Sequence, residues 1–197
     1  LDQNRFIGNL ILNSNTDINL NGFNLSLIGD FTNDGSILAN NGTLSFTGTL
    51  NSQTLYANTN LSLFNMTVNN VNGVNLLNGL IDLSGTLTLT NGQLSTNNAL
   101  TLISNSSGTA RIDEITGGSI SGSITMQRYI DAGATNWRFI TSPIAGATLA
   151  DLNDDFETSG FAGSDYPNWP TAANPWPSIY SYDETQSGVQ DVGLTPA

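Results

Sequence analysis

The chain is expected to be all-β: a right-handed parallel β-helix, or β-solenoid, over residues 1–127, followed by part of a β-rich, sandwich-like module over 128–197. Three observations carry this expectation. Short in–out–in triplets recur about every 20 residues, Asn-Gly and Asp-Gly breakers separate them, and the composition changes abruptly near residue 128.

The triplets come first. Leu25-Ser26-Leu27, Leu44-Ser45-Phe46, Met66-Thr67-Val68 and Leu87-Thr88-Leu89 are joined by a later Ile124-Thr125-Met126. Each alternates as a strand with one buried face does. Between them lie Asn21-Gly22, Asp34-Gly35, Asn41-Gly42, Asn72-Gly73, Asn78-Gly79 and Asn91-Gly92. Asn-Gly ordinarily marks a two-residue hairpin, so a meander is the simpler alternative. Turns of several sizes, two or three short strands per repeat, and a repeat near a solenoid rung favour a coil wound in one direction. Asn also enters left-handed backbone easily and stacks in ladders.

The stretch "GDFTNDGSILANNGTLSFTG", residues 29–48, then reads as one rung, with FT, SILA and TLSF as strands and NDG and NNG as corners. Such a rung cannot bury its own apolar face and needs stacked neighbours. The region from Leu10 to Met126 should hold about five or six rungs.

After residue 128 all three Trp and all six Pro appear. "RYIDAGATNWRFITSPI" predicts two strands, Gln127–Ile130 and Trp137–Thr141, around a Gly-containing turn. The Pro- and Gly-rich "DLNDDFETSGFAGSDYPNWPTAANPWPS" predicts a long irregular loop, and "SIYSYDE" a further strand. The aromatics of this module are expected to seal the last rung, an otherwise exposed edge.

Composition narrows the function. The chain has 197 residues, 38 % of them hydrophobic and only 10 % charged, so solubility rests on amides and hydroxyls. Its only cations are Arg5, Arg111, Arg128 and Arg138, against 16 acids, for a net charge of −12. Such a chain cannot neutralise a run of phosphates, which argues against nucleic acid and against anionic membrane surfaces. Absence of Cys and His removes disulfides, thiol catalysis, Ser–His pairs and most transition-metal chemistry. No run of 18 apolar residues exists, so membrane insertion is not expected. The opening LDQNRF, without Met or a signal segment, suggests a piece of a longer polypeptide.

The arrangement resembles large repeat-containing surface and secreted proteins of Bacteroidetes, exported by the type IX secretion system. The resemblance spans nearly the whole chain and rests on the repeats, on "ITMQRYIDAGATNWRFITSPIAG", and on "NDDFETSGFAGSDYPNWP" leading to "NPWPSIYSYDET". That family's C-terminal sorting domain has no counterpart here. The resemblance implies an extracellular or cell-surface protein, often an adhesin or a many-module scaffold.

Candidate sites follow. Asp151, Asn153 and Asp155 place oxygen ligands at alternate positions, as calcium loops do, with Asp154 and Glu157 nearby. The sixth and twelfth positions of an EF-hand loop are Phe156 and Ala162 instead of Gly and Glu, so a solvated acidic loop stands beside calcium binding. Trp137, Trp169 and Trp176 offer stacking platforms for sugar rings; the alternative is a module core. Arg128 and Arg138 read as salt-bridge partners of Asp131 or the acidic loop. "GTLTLTNGQLST" offers outward hydroxyls of the kind found on ice-binding solenoids, but reads as a short run not repeated in register. Scattered acids give no paired carboxylates for glycoside hydrolysis, so no catalytic residue is assigned and the chain is not expected to be an enzyme. The expected function is a structural and adhesive rod segment that serves other modules of the same long chain and touches extracellular glycans or a cell surface. Polysaccharide binding or degradation, and fibre formation through open solenoid ends, are the alternatives.

Overall fold

The computed structural model describes residues 1–131, 140–142, 145–153, 156–168, 177–182, 185 and 194–196. The chain divides into two units, Leu1–Ala134 and Thr135–Ala197. The first is a parallel β-solenoid of six rungs with three faces. Its first rung carries β1 (Arg5–Ile7), β2 (Leu10–Leu12) and β3 (Asp17–Asn19); its second carries β4 (Asn24–Leu27), β5 (Phe31–Asn33) and β6 (Ser36–Leu38). The third has β7 (Thr43–Phe46), β8 (Gln53–Ala57) and β9 (Leu61–Leu63), and the fourth β10 (Asn65–Asn69), β11 (Val74–Leu77) and β12 (Ile81–Leu83). In the fifth, β13 (Thr86–Ser95) runs through a corner before β14 (Leu100–Leu102). An antiparallel excursion, β15 (Ser104–Asn105) and β16 (Gly108–Thr109), precedes the sixth rung of β17 (Arg111–Ile112), β18 (Gly118–Ser121) and β19 (Ile124–Met126).

The stretch 29–48 supplies β5, β6 and β7, one strand to each face, as its turn chemistry requires. On the first face Leu25 pairs Leu44, Leu44 pairs Met66, Met66 pairs Leu87 and Leu87 pairs Ile112, so successive repeats are 19, 22, 21 and 25 residues. These side chains point inward together with the Leu27–Phe46–Val68–Leu89 column, and most are fully buried. The core is one continuous stack, as nearest-neighbour rungs demand.

Corners explain the Asn and Gly content. Every non-glycine residue with positive φ among the described residues is an asparagine: Asn15, Asn21, Asn40, Asn41, Asn78, Asn97 and Asn98. Its short side chain tolerates this backbone. Turns Leu20–Phe23, Ala39–Gly42 and Thr96–Ala99 are each closed by a backbone bond from the last amide to the first carbonyl, at 2.9, 2.6 and 2.9 Å. Amides then tie rung to rung: Asn40 donates to Asn19 at 3.0 Å, Asn78 to Asn58 at 3.2 Å and Asn91 to Asn69 at 2.7 Å.

Two features depart from the sequence expectation. Ile124-Thr125-Met126 does not continue the first-face triplets; it stacks on Leu100-Thr101-Leu102 in the third face, and Arg111-Ile112 takes the first-face place. The third face is also split into β3–β6 and β9–β12–β14–β19. In β3 and β6 the middle residue, Ile18 or Ile37, points inward, whereas in β9 the first and third, Leu61 and Leu63, do. Two residues, Asp34-Gly35, join β5 to β6, but three, 58–60, join β8 to β9. Asn33 and Ala57 are in register, so that extra residue reverses the side-chain phase and ends the ladder.

β13 turns its corner at Asn91-Gly92, with Gly92 at φ 81° and packed beneath the Asn70 carbonyl, where a Cβ would sit inside van der Waals contact. A left-handed alanine costs about 1–2 kcal/mol and overpacking about 1–3 kcal/mol, so Gly92→Ala is expected to lower the unfolding free energy by roughly 2–5 kcal/mol in urea titration. Gly8→Ala, with nothing within 4 Å of the added methyl, is the matched control and should change it by under about 0.5 kcal/mol.

In the second unit β20 (Tyr180–Tyr182) pairs antiparallel with β21 (Leu194–Pro196), and a 3-10 turn at Leu149–Leu152 leads into the expected irregular loop, which begins at Asp151. Gln127–Ile130 is not a strand. Gln127 N–H still reaches Leu102 O at 3.0 Å, but Tyr129 N–H donates to the Ser104 hydroxyl at 2.9 Å instead of a backbone carbonyl, and the ladder stops. Of the strand expected over 137–141, residues 137–139 lie outside the described residues, and Ile140 and Thr141 are not in a strand.

Candidate functional site: the outer surface of the solenoid

Outward residues of the first face form columns set by the same register as the core. Ser26, Ser45, Thr67 and Thr88 align on four successive rungs, the two serines buried and the two threonines half-buried, and Asn24, Thr43, Asn65 and Thr86 align beside them. The hydroxyl run is thus repeated in register, contrary to the sequence reading. The reason is that repeats of 19, 22 and 21 residues differ only at corners, so position within the strand is kept. Phe6 stands opposite Ser26 at one end and Arg111 opposite Thr86 at the other. The stretch between carries no charge. Asn65 holds its neighbours: its Nδ2 donates to Thr43 Oγ1 at 3.5 Å and its Oδ1 accepts from Thr86 N–H at 2.9 Å.

Concavities at two corners of the solenoid indent this surface. One, of about 200 Å³, lies at the corner between the first and second faces, lined by Asn9, Ile28, Asp30, Leu50 and Gln53 among others. Its floor is polar and tied down. Gln53, 2 % exposed, donates through Nε2 to Leu27 O at 3.0 Å and Gly29 O at 2.5 Å, and its Oε1 accepts from Gly48 N–H at 2.7 Å and Asn70 Nδ2 at 3.2 Å. The other, of about 350 Å³, follows the corner between the second and third faces across the third to fifth rungs, where Asn60, Asn78, Leu80, Asn97 and Asn98 line it. No charged side chain lines this second groove.

The residues singled out from sequence fall elsewhere. Asp151 accepts at Oδ2 from Thr148 N–H at 2.7 Å and Thr148 Oγ1 at 3.1 Å, closing the 3-10 turn as a cap. Asn153 accepts from the Thr158 hydroxyl and donates to Gly163 O at 2.5 Å, closing the loop across ten residues. Asp155 lies outside the described residues, as do Asp154, Trp137, Trp169, Trp176 and Arg138. Among the described residues no three His, Cys, Asp or Glu side chains converge as a metal site. Arg5 pairs Asp2 at 2.5 Å, and this hydrogen bond, with its charge, holds the Asp2 carboxyl below its ordinary range.

The groove residues Asn60, Asn97 and Asn98 went unremarked in the sequence, and Asn78-Gly79 figured there only as a breaker. Their common signal is an asparagine near the same corner of consecutive repeats, which is recognisable only once the repeat lengths are known. No family model matches the chain, and no curated protein and no solved structure matches it.

Proposed function

We propose that the chain is a structural and adhesive rod segment of a multi-domain bacterial surface or secreted protein, of the Bacteroidetes type IX kind that its sequence resembles. The observation that carries this reading is the stacking of six rungs on one continuous core, clothed largely in amides and hydroxyls. At about 4.8 Å per strand spacing such a stack extends roughly 24 Å along its axis, a spacer whose length grows with each added rung. Amide ladders at the corners resist shear between rungs, because each sliding rung would leave paired groups unsatisfied. A coat rich in amides and hydroxyls suits contact with glycans, whose hydroxyls exchange hydrogen bonds with such groups. Asp151, Asn153 and Asp155 are proposed as calcium ligands that order the loop of the second unit at millimolar extracellular calcium.

The test is affinity electrophoresis of the whole chain against soluble neutral and acidic polysaccharides, first with calcium and then with EDTA, while reducing ends are followed in the same samples. Retardation on one glycan without release of ends is the expected result, and its loss in EDTA would assign calcium a part. Release of new ends would replace the rod reading with a polysaccharide-degrading one.

A further inference from the structure

The groove between the second and third faces carries amides on three successive rungs. Four amides line it, and each is fixed by one hydrogen bond that leaves its other end unused. Asn60 accepts at Oδ1 from Leu80 N–H at 3.4 Å, and Asn98 accepts at Oδ1 from Ser123 N–H at 3.0 Å; the NH2 group of each has no partner. Asn78 donates through Nδ2 to Asn58 at 3.2 Å, and Asn97 donates through Nδ2 to Leu76 O at 2.7 Å; the carbonyl of each has no partner. The groove therefore holds two unused donors and two unused acceptors on side chains that are already oriented.

That pinning lowers the entropy cost of binding, since a rotamer-rich side chain otherwise loses about 0.5–1.5 kcal/mol when immobilised. Asn78, Asn97 and Asn98 are held further by left-handed backbone, at φ 60°, 48° and 61°. Leu80, half exposed, puts an aliphatic surface among them. A few placed polar groups around an apolar patch are what a small-molecule site requires.

The chemistry selects the ligand. With a net charge of −12 the chain repels anions, yet no carboxylate lines this groove to attract a cation. The complement is neutral, bears groups that both donate and accept, and has an apolar face; a sugar ring with its hydroxyls and C–H face meets all three conditions. The groove also runs along the stacking axis, with rungs about 4.8 Å apart, so a linear polymer can present successive sugars to successive rungs. We infer that Asn60, Asn78, Asn97, Asn98 and Leu80 form a subsite for a neutral, linear polysaccharide. This inference rests on the adhesive reading above and locates its contact.

The experiment uses the whole 15N-labelled chain, titrated with laminarin, xyloglucan, galactomannan and dextran while side-chain amide signals are followed. The double variant Asn60→Asp and Asn98→Asp keeps the pinned Oδ1 acceptor at both positions and turns each unused donor into a charged acceptor. One polysaccharide is expected to shift the NH2 signals of Asn60 and Asn98, and the double variant to bind it at least tenfold more weakly. Asn24→Asp, on the first face, should bind as the parent does. If a polysaccharide binds but shifts other residues, or binds the double variant equally, the subsite is overturned and the adhesive reading stands. If none of the four produces a shift, the subsite is overturned, and retardation of the chain on an acidic glycan then decides whether adhesion survives.

Discussion

Replacing Gln53 by leucine is expected to lower the unfolding free energy by roughly 2–6 kcal/mol, since it leaves two polar groups unpaired and each such buried group costs about 1–3 kcal/mol. The side chain is 2 % exposed and spans three rungs, reaching Leu27 and Gly29 in the second, Gly48 in the third and Asn70 in the fourth. Leucine keeps much of the volume but none of these bonds. Two partners have alternatives: Leu27 O still accepts from Thr47 N–H at 2.8 Å, and Asn70 Nδ2 still donates to Asn51 O at 2.9 Å. Gly48 N–H and Gly29 O lose theirs, and those two groups set the magnitude. Urea titration gives the energy. Hydrogen exchange locates it: protection should fall first at Thr47, Gly48 and the second-face strands β5 and β8. An unchanged midpoint would mean that water replaces the glutamine at this corner.

Phe46→Ala is expected to cost about 3–5 kcal/mol, the range for deleting a fully buried aromatic ring. Phe46 is wholly buried between Leu27 below and Val68 above, both also at 0 % exposure. Neither neighbour can follow a vanished ring, because each is held in register by its own strand. The effect should spread only one rung each way, to β4 and β10, as expected for nearest-neighbour coupling. Phe6→Ala is the contrast: this phenyl group is 72 % exposed on the first rung, and its loss should change stability by no more than about 0.5 kcal/mol. Equal costs for the two would contradict the inward and outward assignment of the first face.

The contrast between these phenylalanines shows how the two levels of information divide. Leu44-Ser45-Phe46 alternates in a way that puts Phe46 inward, whereas Arg5-Phe6-Ile7 carries no such alternation, and only its pairing with Leu25-Ser26-Leu27 turns Phe6 outward. The sequence by itself determined the solenoid: triplets such as Leu44-Ser45-Phe46 demand one buried face, and Asn-Gly corners demand left-handed backbone about every 20 residues. It also determined a surface poor in charge, with four arginines against 16 acids, too few cations to hold a run of phosphates. In the second unit Tyr180–Tyr182 was legible as a strand; in the first, Gln127–Ile130 was not legible as an ending, because a side-chain hydroxyl, Ser104, takes the bond a strand would have needed.

Only the tertiary structure decided which face each triplet occupies. A two-residue alternation is identical on all three faces, so Ile124-Thr125-Met126 carries no mark of its place. Face and register depend on corner lengths summed around a whole rung, and one residue more, as at 58–60, reverses every side chain that follows on that face. The Ser26–Thr88 hydroxyl column and the Asn60–Asn98 groove are products of that count. Residues about 20 apart in sequence become neighbours only when each rung closes on the one before it.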